Sequence, residues 1–258
     1  MPANSKIGFP ATAGAAELSD LLFHTSAEVL ERLLEHPALN EEHLLTLLSR
    51  KNLPRSVLSR IARNRSWAST YSIKLAILKH PHAPRDVALR LLKFVYVFDL
   101  LELVFTPGIP AELKRLAEDA IIGQRESLAV GQRISLARRG SCRLAGLLLA
   151  DREPPVVKAA LSNPYLTEQA VAAGLLLDGA SSELAFLVQR HPRWSVSRLV
   201  KQALVRSGHV SLSCVMGILP ELTASELADV AADQRVARNV RAYAARLASA
   251  RVKRKGGI

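Results

Sequence analysis

Residues 41–62 read EEHLLTLLSRKNLPRSVLSRIA, and the fold class follows from the spacing of their apolar side chains. Leu44, Leu45, Leu47 and Leu48 recur at i, i+1, i+3 and i+4, and beyond Pro54 the rhythm returns at Val57, Leu58, Ile61 and Ala62. That spacing lines one face of an α-helix. It comes back at Val87, Ala88, Leu91 and Leu92. Helix starts are marked as well. Thr25 with Glu28 and Thr223 with Glu226 have capping-box spacing, and Pro54, Pro84 and Pro110 sit where a first helical turn tolerates proline. Starts recur about every 14 residues, so the predicted helices are short. Sustained period-two alternation occurs only in FVYVF at residues 94–98, too short to make a sheet alone.

Sliding the chain against itself until residue 28 meets residue 155 lays 28–117 on 155–244 without a gap. In that register Leu34 meets Leu161, Pro37 meets Pro164, Leu39 meets Leu166, Arg63 meets Arg190 and both tryptophans coincide, Trp67 on Trp194. Lys74 then meets Lys201, Lys79 meets Arg206 and His82 meets His209, while apolar positions match apolar ones along most helical stripes. Helices too short to bury a face alone gain stability by stacking on neighbours. The expected fold is all-α, an α-solenoid of stacked short helices with an internal duplication at the offset that carries residue 28 onto residue 155.

The expected organisation is a flexible lead-in over 1–23, a helical-repeat domain over 24–248 and a disordered basic tail over 249–258. Within the domain lie the copies 28–117 and 155–244, joined by linking helices over 118–154. Ile121, Ile122, Leu128, Ile134, Leu136 and Leu144 favour a helical layer there over a hinge.

His-Pro or Asn-Pro corners recur at His36, His80, Asn163 and His191, each followed by a helical pattern. Leu33-Leu34-x-His36-Pro37, residues 78–84 (LKHPHAP) and Leu161-Ser162-Asn163-Pro164 carry the resemblance. Over residues 26–248 the chain resembles the bacterial repeat proteins of the HEAT-like and variant leucine-rich-repeat families. That resemblance implies an α-solenoid that binds through its surface. Some variant leucine-rich-repeat proteins carry a cysteine cluster for an iron-sulfur centre, which this chain lacks, so no cofactor is expected.

Composition narrows the function. Of the 258 residues 49% are apolar and 22% charged, as in ordinary globular chains. Cys142 and Cys214 lie far apart, without Cys-x-x-Cys spacing, which argues against a disulfide framework and suits a reducing cytoplasm. The longest charge-free stretch in the body, residues 207–220, is too short to span a bilayer, so no membrane partner is expected.

The net charge of +12 is uneven: residues 1–129 hold 16 basic and 14 acidic residues, whereas 130–258 hold 19 and 9. Acid-free intervals fall between Glu42 and Asp86 and between Glu183 and Glu221. Two functional readings meet there. One is a surface for another protein, the other an electrostatic track for nucleic acid with tryptophans as stacking platforms. The candidate partner-binding residues are Arg63, Trp67, Lys74 and Lys79 in the first copy and Arg190, Trp194, Lys201 and Arg206 in the second. For the tryptophans, packing between stacked helices is the competing role.

Catalytic signatures are weak. Phosphate-loop, dinucleotide, zincin and nucleophile-elbow motifs are missing from the sequence. His80 and His82 form an H-x-H pair with no cysteine or carboxylate at ligand spacing, so a capping role is expected and no metal site. HEAT-like DNA glycosylases, similar in fold class alone, use a carboxylate beside tryptophans and arginines, for which Asp86, Asp99, Asp178 and Asp229 are the available acids. The expected function is a non-enzymatic interaction scaffold with a protein partner. Nucleic-acid binding is the alternative, and a glycosylase-type enzyme stands behind both.

Overall fold

A computed structural model describes the backbone of residues 15–255 and the side chains of residues 18–252. Every regular element among the described residues is helical, and the elements fall into two compact units that divide after Gln124. The first holds α1 (Ala15–Leu22), α2 (Ala27–Leu33), α3 (Glu41–Leu48), α4 (Arg55–Arg63), α5 (Arg65–Ser69), α6 (Tyr71–Leu78), α7 (Arg85–Leu91), a 3-10 turn (Leu92–Phe94), α8 (Val97–Phe105) and α9 (Ala111–Gln124). The second opens with a 3-10 turn (Arg125–Ser127). It continues through α10 (Val130–Arg139), α11 (Cys142–Leu148), α12 (Pro154–Leu161), α13 (Glu168–Leu175), α14 (Ser182–Arg190), α15 (Arg198–Ser207), α16 (Leu212–Ile218), a 3-10 turn (Leu219–Glu221), α17 (Ala224–Ala232) and α18 (Arg238–Lys255). No described helix is long and apolar enough to cross a membrane.

Most of the helices are short because their sequence stops them. In α4, Pro54 holds the extended entry at φ −62°, Val57, Leu58 and Ile61 are buried on one face, and Asn64 leaves the helix with ψ 117°. Asn64 then caps α5 by accepting the N–H of Ser66 at 3.0 Å. Three such aliphatic side chains contribute roughly 1.5–3 kcal/mol each on burial, which a nine-residue helix realises only against its neighbours. The capping box expected at Thr223 is present: Thr223 Oγ1 accepts the Glu226 N–H and Glu226 accepts the Thr223 N–H at 2.6 Å. The one expected at Thr25 is not. His24 Nδ1 accepts the N–H of Ser26 at 3.0 Å, which closes the turn one residue later and makes Ser26 the cap of α2.

The four His-Pro and Asn-Pro corners share one construction. The N–H two residues on donates to the corner side chain: Ala38 to His36 Nδ1 at 3.2 Å, His82 to His80 Nδ1 at 3.1 Å, Tyr165 to Asn163 Oδ1 at 2.7 Å and Arg193 to His191 Nδ1 at 3.2 Å. The intervening proline has no N–H of its own to satisfy. Two of these corners also reach back to the chain segment before them. His80 Nε2 lies 2.7 Å from the Arg50 carbonyl, and Asn163 Nδ2 donates to the carbonyls of Ala137 and Gly140 at 2.8 and 2.9 Å. Arginines do the same: Arg50 donates to Leu22 and His24, and Arg193 to Asn163 and Leu166. Carbonyls left open at one helix end are thus satisfied from the next corner along the chain.

Element boundaries recur at a fixed interval. The helices α1, α2, α3, α4, α6, α7, α8 and α9 begin at 15, 27, 41, 55, 71, 85, 97 and 111. The helices α11 to α18 begin at 142, 154, 168, 182, 198, 212, 224 and 238, so each start repeats the step from 15 to 142. The 3-10 turns at 92 and 219 keep the same interval. Packing partners recur too. In the first unit α1 touches α2 and α3, α2 touches α4, α3 touches α6 and α8 touches α9; in the second α11 touches α12 and α13, α12 touches α14, α13 touches α15 and α17 touches α18. Corresponding positions are buried alike, as in Leu39 and Leu166, Leu92 and Leu219, or Ala117 and Ala244. The stop signals differ: α15 ends on Gly208 at φ 70°, a conformation glycine adopts freely, whereas Pro81 stands at the matching place after α6.

Two expected boundaries change. Residues 1–14 of the expected lead-in lie outside the described residues, but residues 15–22 form α1, held by buried Leu18 and Leu22. The expected disordered tail is instead, up to Lys255, the end of α18, which packs on α17 through Val240 and Ala244. Arg251 fastens it by donating to the carbonyls of Leu222 and Pro220, and residues 256–258 lie outside the described residues. The stretch 118–154 is helical through the end of α9, α10 and α11.

Candidate functional site

The eight candidate residues meet different fates. Arg63 and Arg190 end α4 and α14, at matching places in the two units, and both are exposed. Among the described residues no carboxylate pairs with either, and the Arg190 guanidinium lies 5.0 Å from the centre of the Phe186 ring. Lys79 pairs with Glu102 at 2.8 Å, Lys201 with Glu221, and Arg206 with Asp233 at 3.6 Å. Lys74 donates to the Ser69 carbonyl at 3.2 Å and sits 5.3 Å from the centre of the Phe94 ring, without a carboxylate. Half of the six candidate cations therefore have their charge balanced locally.

Of the two roles weighed for the tryptophans, Trp194 takes the packing one and drops out as a binding candidate. It is fully buried, its indole N–H donates to the Leu161 carbonyl at 2.8 Å, and the Arg193 guanidinium lies 4.1 Å from the ring centre. A base has no access to either face. Trp67 in α5 is half-buried, and its N–H is buried without a hydrogen-bond partner.

Nor do the acids and histidines form a reacting group. Asp86 pairs with Arg90 at 3.4 Å, Asp99 accepts the Tyr71 hydroxyl, and Asp178 and Asp229 are exposed. Both nitrogens of His80 are engaged by backbone, with Nδ1 accepting and Nε2 facing a carbonyl, which defines a neutral ring with its proton on Nε2. Burial lowers its pKa below the ordinary histidine value, and the neighbouring His82 adds to that. Among the described residues no three His, Cys, Asp or Glu side chains come together as a metal site. A cavity of about 410 Å³ in the second unit is lined by Arg125, Arg133 and Arg152, but Glu126 and Asp151 line it too, and Asp151 pairs with Arg133 at 3.0 Å.

The most exposed aromatic surface falls on FVYVF. Phe94, Val95, Tyr96, Val97 and Phe98 are 63, 4, 70, 6 and 41% exposed, so the valines enter the core and all three rings face outward. The alternation joins a 3-10 turn to α8 and makes no strand. Tyr96 packs on Tyr71, ring centres 4.8 Å apart and planes at 39°. The Tyr71 hydroxyl accepts the Tyr96 N–H at 3.1 Å and donates to the Asp99 carboxylate, and burial together with that bond to Asp99 pushes its pKa up to about 12. Sequence reading found the alternation but did not single out the rings. The signal was present in the register that lays residue 28 on residue 155, which sets Phe94, Tyr96 and Phe98 against Glu221, Thr223 and Ser225.

Comparison with family models, with curated proteins and with solved structures found no match to this chain.

Proposed function

We propose that the chain is a non-enzymatic helical-repeat module, an α-solenoid built by internal duplication, whose stacked helices present an extended surface to another macromolecule. The observation that carries this reading is the repetition of helix starts, 3-10 turns and packing partners at one constant interval. Repeats stabilised by neighbour contacts leave whole helix faces free for binding. The partner favoured is a protein, because half of the cations expected to form a phosphate track are paired with carboxylates, while large aromatic side chains stand in solvent. The free thiols Cys142 and Cys214 accord with a cytoplasmic setting.

Nucleic-acid binding is the second reading, favoured by exposed Arg63 and Arg190 at matching helix ends. Titration of the full chain with labelled single- and double-stranded nucleic acid at two salt concentrations, beside an R63E/R190E variant, separates the two. The protein-scaffold reading expects no tight binding at physiological salt. Micromolar or tighter binding that falls steeply with salt and is lost in the variant would replace it with the nucleic-acid reading.

A further inference from the structure

An exposed Phe-x-Tyr-x-Phe is expensive to keep in solvent, and the chain itself shows that its fold does not require it. At the matching place in the second unit the same 3-10 turn leads into α17 through Glu221, Leu222, Thr223, Ala224 and Ser225. Leu222 is buried as Val95 is, and half-buried Ala224 stands where Val97 is buried, while the outward half is wholly polar. The charge partner changes in step. Lys201 is paired with Glu221, whereas Lys74, at its matching place, faces the Phe94 ring with no carboxylate. Lys93, beside Phe94, is exposed and has no ion pair among the described residues. The first unit thus offers three rings and two unbalanced ammonium groups where the second has neutralised polar surface.

Resting on the reading of the chain as a macromolecule-binding module, we infer that Phe94, Tyr96 and Phe98, with Lys74 and Lys93, form the docking surface for a peptide segment that carries apolar side chains next to carboxylates. The rings supply apolar contact area and the two lysines the complementary charge. A peptide fits better than a single-stranded nucleic acid. Each nucleotide brings a phosphate, but among the described residues this surface has only two unbalanced cations.

The test selects a displayed library of random 12-residue peptides on the full chain and titrates labelled peptides of the enriched sequence, alongside labelled dT20. Two variants serve as controls. F94E/Y96T/F98S installs the residues found at 221, 223 and 225, which the same local backbone already accommodates, and circular dichroism checks its fold. Lys74→Gln keeps the rings and removes one charge, and it is read even if the triple variant fails to fold. Enriched peptides are expected to combine aromatic or aliphatic residues with Asp or Glu, to bind the triple variant at least about tenfold more weakly, and to lose a few-fold with Lys74→Gln. The inference is overturned if enriched peptides bind wild type and triple variant alike, if they lack acidic residues and ignore Lys74→Gln, or if dT20 binds and is lost in the triple variant. Peptide binding indifferent to both variants would sink this surface alone and leave the scaffold reading standing. No selected peptide and tight, salt-steep nucleic-acid binding would sink both.

Discussion

The indole N–H of Trp194 donates to the backbone carbonyl of Leu161, 33 residues earlier in the chain, and the ring that carries it is wholly buried. Trp67, at the matching place in the first unit, is half-buried and its N–H has no partner. Trp194→Phe keeps most of the volume but orphans the carbonyl, so a loss of about 1–3 kcal/mol is expected, rising to about 3–5 kcal/mol for Trp194→Ala. Trp67→Phe removes no hydrogen bond and is expected to cost under about 1 kcal/mol. Urea denaturation of the three variants checks the ranking, and equal losses at the two tryptophans would contradict it.

Asn163 is fully buried and serves three backbone groups at once, the carbonyls of Ala137 and Gly140 and the N–H of Tyr165. Asn163→Ala removes all three bonds, two of them to buried carbonyls, and a loss above about 2 kcal/mol is expected. Gly140→Ala attacks the same junction from the other side, since an added Cβ would stand 2.5 Å from the Leu136 carbonyl oxygen and 3.0 Å from the Leu144 Cβ. Thermal melts should place both variants below wild type by several degrees.

His80 gives stability a pH dependence of known sign. Its folded pKa lies below the ordinary value near 6.5, so as pH falls the unfolded chain takes up the proton first. The stabilisation is complete above about pH 6.5 and is lost progressively as pH falls toward the lowered folded pKa. His80→Asn retains an acceptor for the His82 N–H, as Asn163 does for Tyr165, and removes the titration. Between pH 7.5 and 5.5 the melting temperature of the variant should fall less than that of wild type. His191, lowered by burial and Arg193, leaves a residual slope in both. Parallel curves for the two proteins would rule the mechanism out.

Asp151 and Asp86 both pair with an arginine, in different surroundings. The Asp151 side chain is 5% exposed against Arg133, and that of Asp86 is 69% exposed against Arg90. Asp151→Ala strands the largely buried Arg133 and is expected to cost about 3 kcal/mol, whereas Asp86→Ala should stay within about 0.5 kcal/mol. Chemical denaturation of the two variants measures the contrast.

Much of the helical layout was legible because it depends on local spacing. Val57, Leu58 and Ile61 fall on one face of any helix that contains them, and the proline before them marks where it starts. Where burial depends on a distant surface, local spacing was silent. Residues 249–255 read as a polar, arginine-rich tail, yet they continue α18, whose Val240 and Ala244 are buried and which packs on α17. α1 hides in a small-residue stretch and is held by Leu18 and Leu22, while α5 has no buried residue to mark it. The candidate site was legible in part. Basic character recurs at 63 and 190, at 74 and 201 and at 79 and 206, but whether a cation meets a carboxylate is decided by α8, the 3-10 turn before α17 and Asp233, all well further along the chain. In FVYVF the period of two shows that sides alternate without showing which side faces inward.

The bonds that tie corners to the chain before them join residues from 23 to 33 positions apart, from Asn163 with Gly140 to Trp194 with Leu161. Ordering one corner therefore closes a loop of modest length, and the entropy of closure is met in small, similar steps. These ties keep the contacts within each unit close along the chain, the kind of topology in which folding is fast because few long loops must close first.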